Sequence, residues 1–353
     1  MLLLATAPSG LEKLWFALIG VLWLGYFFLE GFDFGVGILF PFVSQDDTDR
    51  RVAINTIGPV WDGNEVWLLT AGGATFAAFP LWYATVFSGF YLALFLVLAA
   101  LIFRGMAFEM RHRRDDDHWR RWWDRALFWG SALPALLWGV AFADFIHGVP
   151  IGANATWTGT FFDLVKPYAL VGGLSTLSLF TLHGATYLGL KASGDVRERA
   201  GLLAQRLAPI TFIIVTAFFA WTYQSSRTMH HQGLVPPLLP ILGIGALGAV
   251  AWLTHERHEG WAFMATAFTI VTLFTTVMLN LYPNVLVSSI SPAYDVTITA
   301  SASHPYTLTV MSWVALIFTP LVLAYQSWTY WIFRRRVRRP DEPLTAEHSS
   351  PIG

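Results

Sequence analysis

The chain has no cysteine, and only 13% of its 353 residues are charged. Without cysteine it can carry no disulfide, no iron–sulfur cluster and no thiolate metal site of its own. A soluble domain of this size shows about 25% charged residues, so half the usual solvating charge is missing and an ordinary soluble enzyme is excluded. A net charge of −1 joins no basic density to a soluble fold, which removes nucleic acid from the partners to consider. The sequence also has no P-loop and no HExxH zinc motif. What it has in abundance is apolar: 55% hydrophobic residues, with 17 Trp, 28 Phe and 29 Gly. That composition is one of an all-α polytopic membrane protein.

A helix needs about 20 mostly apolar residues to cross the hydrocarbon core. Reading for such stretches predicts nine transmembrane helices, over 14–42, 54–79, 81–103, 126–147, 167–190, 207–226, 234–254, 261–282 and 306–333. The second and third are separated by little more than Pro80, which predicts a tight hairpin there. Basic residues gather in cytoplasmic loops. With the N-terminus outside and the C-terminus inside, only Lys13, Lys166 and Arg227 of the 22 Lys and Arg fall outside. Residues 1–333 thus read as one transmembrane domain, and 334–353 as a basic, then polar and disordered, cytoplasmic tail. The first span carries acids and lacks a basic leader, so it reads as a retained helix rather than a cleaved signal. The segment 104–125 reads as an inside loop whose Trp119, Trp122 and Trp123 sit at headgroup level while its arginines meet lipid phosphate. A partner-docking surface is the alternative.

Ionisable groups inside a span cost about 2.5–3.5 kcal/mol each, so they are kept when paired, when facing water or when working. The first span holds Glu30 and Asp33, the second Asp62 and Glu65, each pair three residues apart and so on one helix face. Counted from the inner ends at 1.5 Å per residue, Asp62, Asp33, Glu65 and Glu30 lie at about 12, 14, 17 and 18 Å. No Lys or Arg in these two spans neutralises them, which points to protons, a cation or a partner's positive charge. The functional reading is a proton path fed from the cytoplasm; the bland one is interhelical hydrogen bonding. Gly31, Gly35 and Gly37, with Gly72 and Gly73, permit close helix approach. Pro59 and Gly63 bracket Asp62, which predicts a kink.

Haem b held in a helical bundle needs axial ligands deep in the spans. Of ten His, only His183 lies well inside one, so this chain is expected to bind no haem and no metal, and His183 reads as a hydrogen-bonded core residue. Asp144 and His147, one turn apart, read as a pair on the outer rim.

The strings GFDFGVGILFPF (31–42), NTIGPVWDGNEVWLLTAGGATFAAFP (55–80), FSGFYLALFLVLAALIFRGMAFEMR (87–111), HGATYL (183–188) and PYTLTVMSWVALIFTPLVLAYQSWTYWIF (305–333) span most of the chain. Carrying them, the sequence resembles subunit II of the cytochrome bd quinol oxidase family. The resemblance implies two four-helix bundles plus one peripheral helix, and pairing with a similarly folded subunit I that binds haems b558, b595 and d. It implies a complex in the prokaryotic plasma membrane that oxidises quinol and reduces O2 to water, generating protonmotive force without pumping. It places Glu30, Asp33 and Asp62, with Glu65 as a further candidate, on a proton route toward the haems of subunit I. It puts Trp67 near an O2 route. Some relatives add a small accessory subunit, or a structural quinone or lipid. Two rival readings stand beside this one. A proton-coupled secondary transporter would also want intramembrane acids, but no inverted repeat is visible. A purely structural subunit would use the same acids as glue.

Overall fold

The structure, a computed structural model, describes residues 7–225 and 238–340. Arg227, His230, His231, the start of the seventh predicted span and the tail beyond Pro340 lie outside the described residues. The architecture is all-helical apart from one small two-stranded sheet. The first helix, α1 (Gly10–Val43), starts on a capping box: the Ser9 hydroxyl accepts from the Glu12 amide, and the Glu12 carboxylate accepts from the Ser9 amide. It is the central post, packed against α2 (Asp47–Ile57), α3 (Trp61–Ala78), α6 (Asp117–His147), α7 (Pro167–Lys191) and α10 (Glu259–Leu281). The other helices are α4 (Pro80–Gly89), α5 (Tyr91–Met110), α8 (Gly194–Ser225), α9 (Leu238–His255), α11 (Ile298–Ser301) and α12 (Pro305–Ile332). Strands β1 (Asn284–Leu286) and β2 (Val296–Thr297) pair antiparallel between α10 and α11.

Seven of the described helices are long and apolar enough to cross a membrane: α1, α5, α6, α8, α9, α10 and α12. The helices α3 and α7 fall short on apolarity because α3 carries Asp62, Asn64 and Glu65 and α7 is rich in Gly, Ser and Thr. Two predicted spans need correction. The stretch 54–79 is not one helix: it breaks between α2 and α3, where Gly58 keeps helical geometry, Pro59 has no N–H to continue the ladder, and Val60 leaves it (φ −126°, ψ −22°). The stretch 81–103 is not one helix either. Instead of a single hairpin turn at Pro80, there is the ten-residue α4 between breaks at Phe79 (φ −134°, ψ 68°) and Phe90 (φ −96°, ψ 16°).

The predicted glycine stripe of α1 is used. Gly35 crosses Gly184 of α7 so closely that a Cβ on Gly35 would lie 2.7 Å from the Gly184 Cα. The pair Gly72 and Gly73 on α3 meets nothing within 4 Å, so its stripe faces away from the rest of this chain. The core beside α1 is aromatic: Trp23, Phe27, Trp138 and Phe142 pack edge to face, and Phe274 joins them from α10. Such contacts add about 0.5–1.5 kcal/mol per pair beyond burial. By contrast α12 buries only 6% of its apolar stretch within this chain, which leaves a broad face for lipid or another protein.

At the arginine-rich end the helices are laced by ion pairs. Arg111 donates to Asp124 at 2.7 Å and to Asp47 at 2.5 Å, and Arg50 reaches the same Asp124 at 2.8 Å. Asp49 takes Arg199 and Arg339, each at 2.7 Å, so the first residues of the tail are strapped across α2. The predicted loop 104–125 shrinks accordingly: α5 runs on to Met110 and α6 begins at Asp117. Arg104 therefore belongs to a helix, not to a loop.

Candidate functional site

The site grows from that one displaced arginine. Arg104 lies in α5, fully buried, where Gly130 of α6 makes room: a Cβ there would lie 2.7 Å from the Arg104 Cβ. Its Nη1 donates to Glu30 of α1 and, at 3.5 Å, to Glu65 of α3. The guanidinium also sits over the Phe34 ring, 5.0 Å from its centroid, and 5.7 Å from that of Phe108. Cation–π contact favours the charge where water is excluded. One guanidinium is thus shared by two carboxyl groups from different helices.

Asp33, one turn along α1, is also fully buried and accepts from the Asn64 amide at 2.7 Å. The Asn64 carbonyl accepts from the Tyr330 hydroxyl at 2.7 Å and from the Gln326 amide at 3.3 Å, both on α12. Gln326 in turn accepts from the Trp67 indole at 2.9 Å. The result is a continuous polar thread, Asp33–Asn64–Gln326–Trp67, through α1, α3 and α12. Four buried side-chain atoms of Glu30, Asp33 and Arg104 have no hydrogen-bond partner in the protein: Glu30 Oε2, Asp33 Oδ1, and Arg104 Nε and Nη2. Buried polar atoms left in this way are where ordered water is expected.

Of the five residues singled out from sequence, Glu30 and Asp33 are buried in the cluster, and Glu65 joins it with its side chain 23% exposed. Asp62 is exposed and points away. Around α3 it lies roughly 160° from Asn64, so it faces whatever covers this side of the chain. Trp67 is half-buried and wedged against Gly25 of α1. Sequence reading missed Arg104, Asn64, Gln326 and Tyr330. The signal for Arg104 was an arginine set in the run ALIFRGMAF, on a helix that does not stop there.

His183 is hydrogen-bonded in the core, as expected: its Nδ1 is 2.7 Å from the Thr266 hydroxyl and its ring stacks on Phe263 at 4.5 Å. No group of three His, Asp or Glu able to hold a metal is found among the described residues. Asp144 needs correction. It is fully buried and neither carboxyl oxygen has a hydrogen-bond partner, while the His147 ring stacks on Tyr168 at 4.7 Å. The two are not an exposed rim pair. The string GIGALG (243–248) matches a dinucleotide fingerprint in letters only, because it lies inside α9 with no strand before it.

Membrane-length helices around a buried acid–arginine cluster define a polytopic membrane subunit with ionisable groups in its interior. The chain belongs to the family described as cytochrome bd terminal oxidase subunit II, whose pattern matches residues 11–333. It is 40% identical to the cytochrome bd ubiquinol oxidase subunit 2 of Bacillus subtilis over 337 residues, covering 96% of this chain and 99% of that one. It is 36% identical to the cytochrome bd-I ubiquinol oxidase subunit 2 of Escherichia coli strain K12, covering 94% and 96% of the two chains. Its fold matches a chain of the bd oxidase from Geobacillus thermodenitrificans with a TM-score of 0.74 at 17% identity, covering 92% of this chain and 99% of that one.

Proposed function

We propose that this chain is the second subunit of a quinol:O2 oxidoreductase, and that its buried carboxyls hand protons from the cytoplasmic side to a haem-bearing subunit I. In this reading nine helices cross the plasma membrane as two four-helix bundles plus α12, with the N-terminus outside and the basic end cytoplasmic. Haems b558, b595 and d belong to the partner; this chain supplies no step of haem chemistry.

The observation that carries the proposal is the charge imbalance at Arg104. Glu30, Asp33 and Glu65 gather in a largely buried interior around one guanidinium. An uncompensated buried charge costs several kcal/mol, so the neutral cluster holds two protons among three carboxyls. A site that must hold protons, with one member partly exposed and Asp62 on the surface beside it, is built to exchange them. Asp62 and Glu65 are the entry, Glu30 and Asp33 the interior relay. Simple interhelical glue would not need a third acid per arginine.

The O2 route at Trp67 has thinner support, because that indole is tied to Gln326. A structural quinone gains none from the apolar void lined by Phe27, Trp138, Phe142 and Phe274, whose volume of about 20 Å³ is far below that of a quinone ring.

The test is Asp62→Asn in the assembled, haem-replete complex. Asp62 is exposed and caps no partner, so folding is spared while quinol-driven O2 consumption falls at least tenfold. Undiminished turnover with a normal haem spectrum would leave this subunit a scaffold.

A further inference from the structure

We propose that the exposed face of α6 near the arginine-rich end binds the headgroup of an acidic phospholipid. The argument begins with the acids. Asp115 and Asp117 both pair with Arg120, and Asp116 caps α6 by accepting from the His118 amide at 2.9 Å. Asp124 turns inward to Arg111 and Arg50. Every acid from 115 to 124 is therefore committed. Arg113, Arg114, Arg121 and Arg125 are all exposed, and none meets a carboxylate among the described residues. Arg114 is held over the Trp119 ring at 4.4 Å.

The placement of the surplus charge is specific. At 100° per residue, His118, Arg121, Trp122, Arg125 and Trp129 fall within an arc of about 100° on α6. All five are exposed, whereas Trp123, Leu127, Gly130, Ser131 and Pro134, on the far side, are buried. The arc holds no acid, so it offers nothing to the ammonium group of a zwitterionic lipid. Arg121 and Arg125 stand one turn apart, close enough to bracket a single phosphodiester.

The polarity of the arc then changes along the helix. Trp129 lies about 12 Å beyond Arg121, deeper in the span, and is 65% exposed. Between them Trp122 and Phe103 of α5 meet at 6.1 Å, and both are about half exposed. Cations at one end and bare aromatics at the other match a headgroup joined to acyl chains. A free anion or an acidic peptide would use the arginines and leave Trp129 and Phe103 uncovered. This placement of Trp and Arg at the membrane boundary is what an anionic leaflet selects.

The test uses the intact complex purified in a neutral detergent. It is titrated separately with short-chain phosphatidylglycerol, short-chain phosphatidylcholine and inorganic phosphate, and the unfolding midpoint is followed. Phosphatidylglycerol is expected to raise the midpoint, with the other two giving no comparable shift. Arg121→Gln with Arg125→Gln should weaken the phosphatidylglycerol response about 30-fold in concentration, from roughly fivefold per arginine. Arg121→Lys with Arg125→Lys, which keeps both charges, should retain most of the response and serves if the first variant folds poorly. An equal response to phosphatidylcholine or to inorganic phosphate would overturn the proposal. So would a glutamine variant that responds like the parent, or recovery from native membranes with an acidic protein covering Trp129. The readout is lipid binding, not turnover, so it stands or falls apart from the proton reading.

Discussion

Arg104 and Glu30 meet with neither side chain exposed to solvent, and the pair joins α5 to α1 in the middle of an apolar wall. Removing one partner of such a buried pair leaves an uncompensated charge and costs about 3–5 kcal/mol. Arg104→Gln is therefore expected to lower the unfolding midpoint of the purified complex sharply or to block its assembly. Arg104→Gln combined with Glu30→Gln should recover most of that loss, because the stranded carboxylate is gone. Recovery is read as yield of haem-replete complex and as unfolding midpoint. A double variant no better than the single one would show that the arginine acts through something other than Glu30.

Asn64 is the hub of the second thread, donating to Asp33 while accepting from Tyr330 and Gln326. Asn64→Leu keeps the volume and strands all three partners, at about 1–3 kcal/mol for each buried group left unpaired. Because two of those partners lie on α12, which is otherwise scarcely buried, that helix should loosen first. Hydrogen exchange over 305–332 is expected to accelerate in the variant, with exchange in α7 unchanged. Uniform acceleration across both helices would mean a global loss of stability rather than release of α12.

The sequence announced Glu30 and Asp33 because burying acids is costly enough to be read from letters alone. It hid Arg104 because a charged residue at the edge of an apolar run looks like the end of a span, and only the helical continuation to Met110 carries it inward. Asp62 and Glu65 were expected on one face by their spacing. They do lie on one side of α3, about 60° apart, but Asn64, not Asp62, is what turns toward Asp33, and this choice depends on the phase with which α3 restarts after the break at Pro59. That break was signalled by Pro59, read with Gly63 as a kink beside Asp62. The one at Phe90 was not, since 81–103 is almost uniformly apolar and periodicity has nothing to mark there.

The crossing of Gly35 and Gly184 makes a contrast that needs no functional assay. Gly184→Ala forces a methyl into the backbone of α1, so α1 and α7 must separate, an overpacking cost of about 1–3 kcal/mol. Gly73→Ala meets nothing within 4 Å of this chain and replaces a poor helix former, which is stabilising by about 0.5–1 kcal/mol in a helix interior. The unfolding midpoint should therefore fall for the first and hold or rise for the second. A fall for Gly73→Ala in the complex, but not in the isolated subunit, would reveal a partner packed on that stripe.

At the basic end, burial pushes the Asp47 carboxyl up, but its bond to Arg111 and the charges of Arg111, Arg120 and Arg51 outweigh this and hold it below the ordinary value. A group depressed in the folded state contributes stability that is present above its unfolded pKa, about 3.9, and is lost as pH falls through the lower folded value. The tie between α2 and Arg111 should thus be intact at neutral pH and weaken only below about pH 4. Asp47→Asn removes that contribution at every pH. The gap in unfolding midpoint between parent and variant is expected to be steady from pH 7 to 5 and to close toward pH 3. Since Asp47 is partly exposed, the gap should also shrink in high salt. A gap that widened on acidification would mean that the carboxyl is stabilised as the acid, and that Arg111 is held by Asp124 alone.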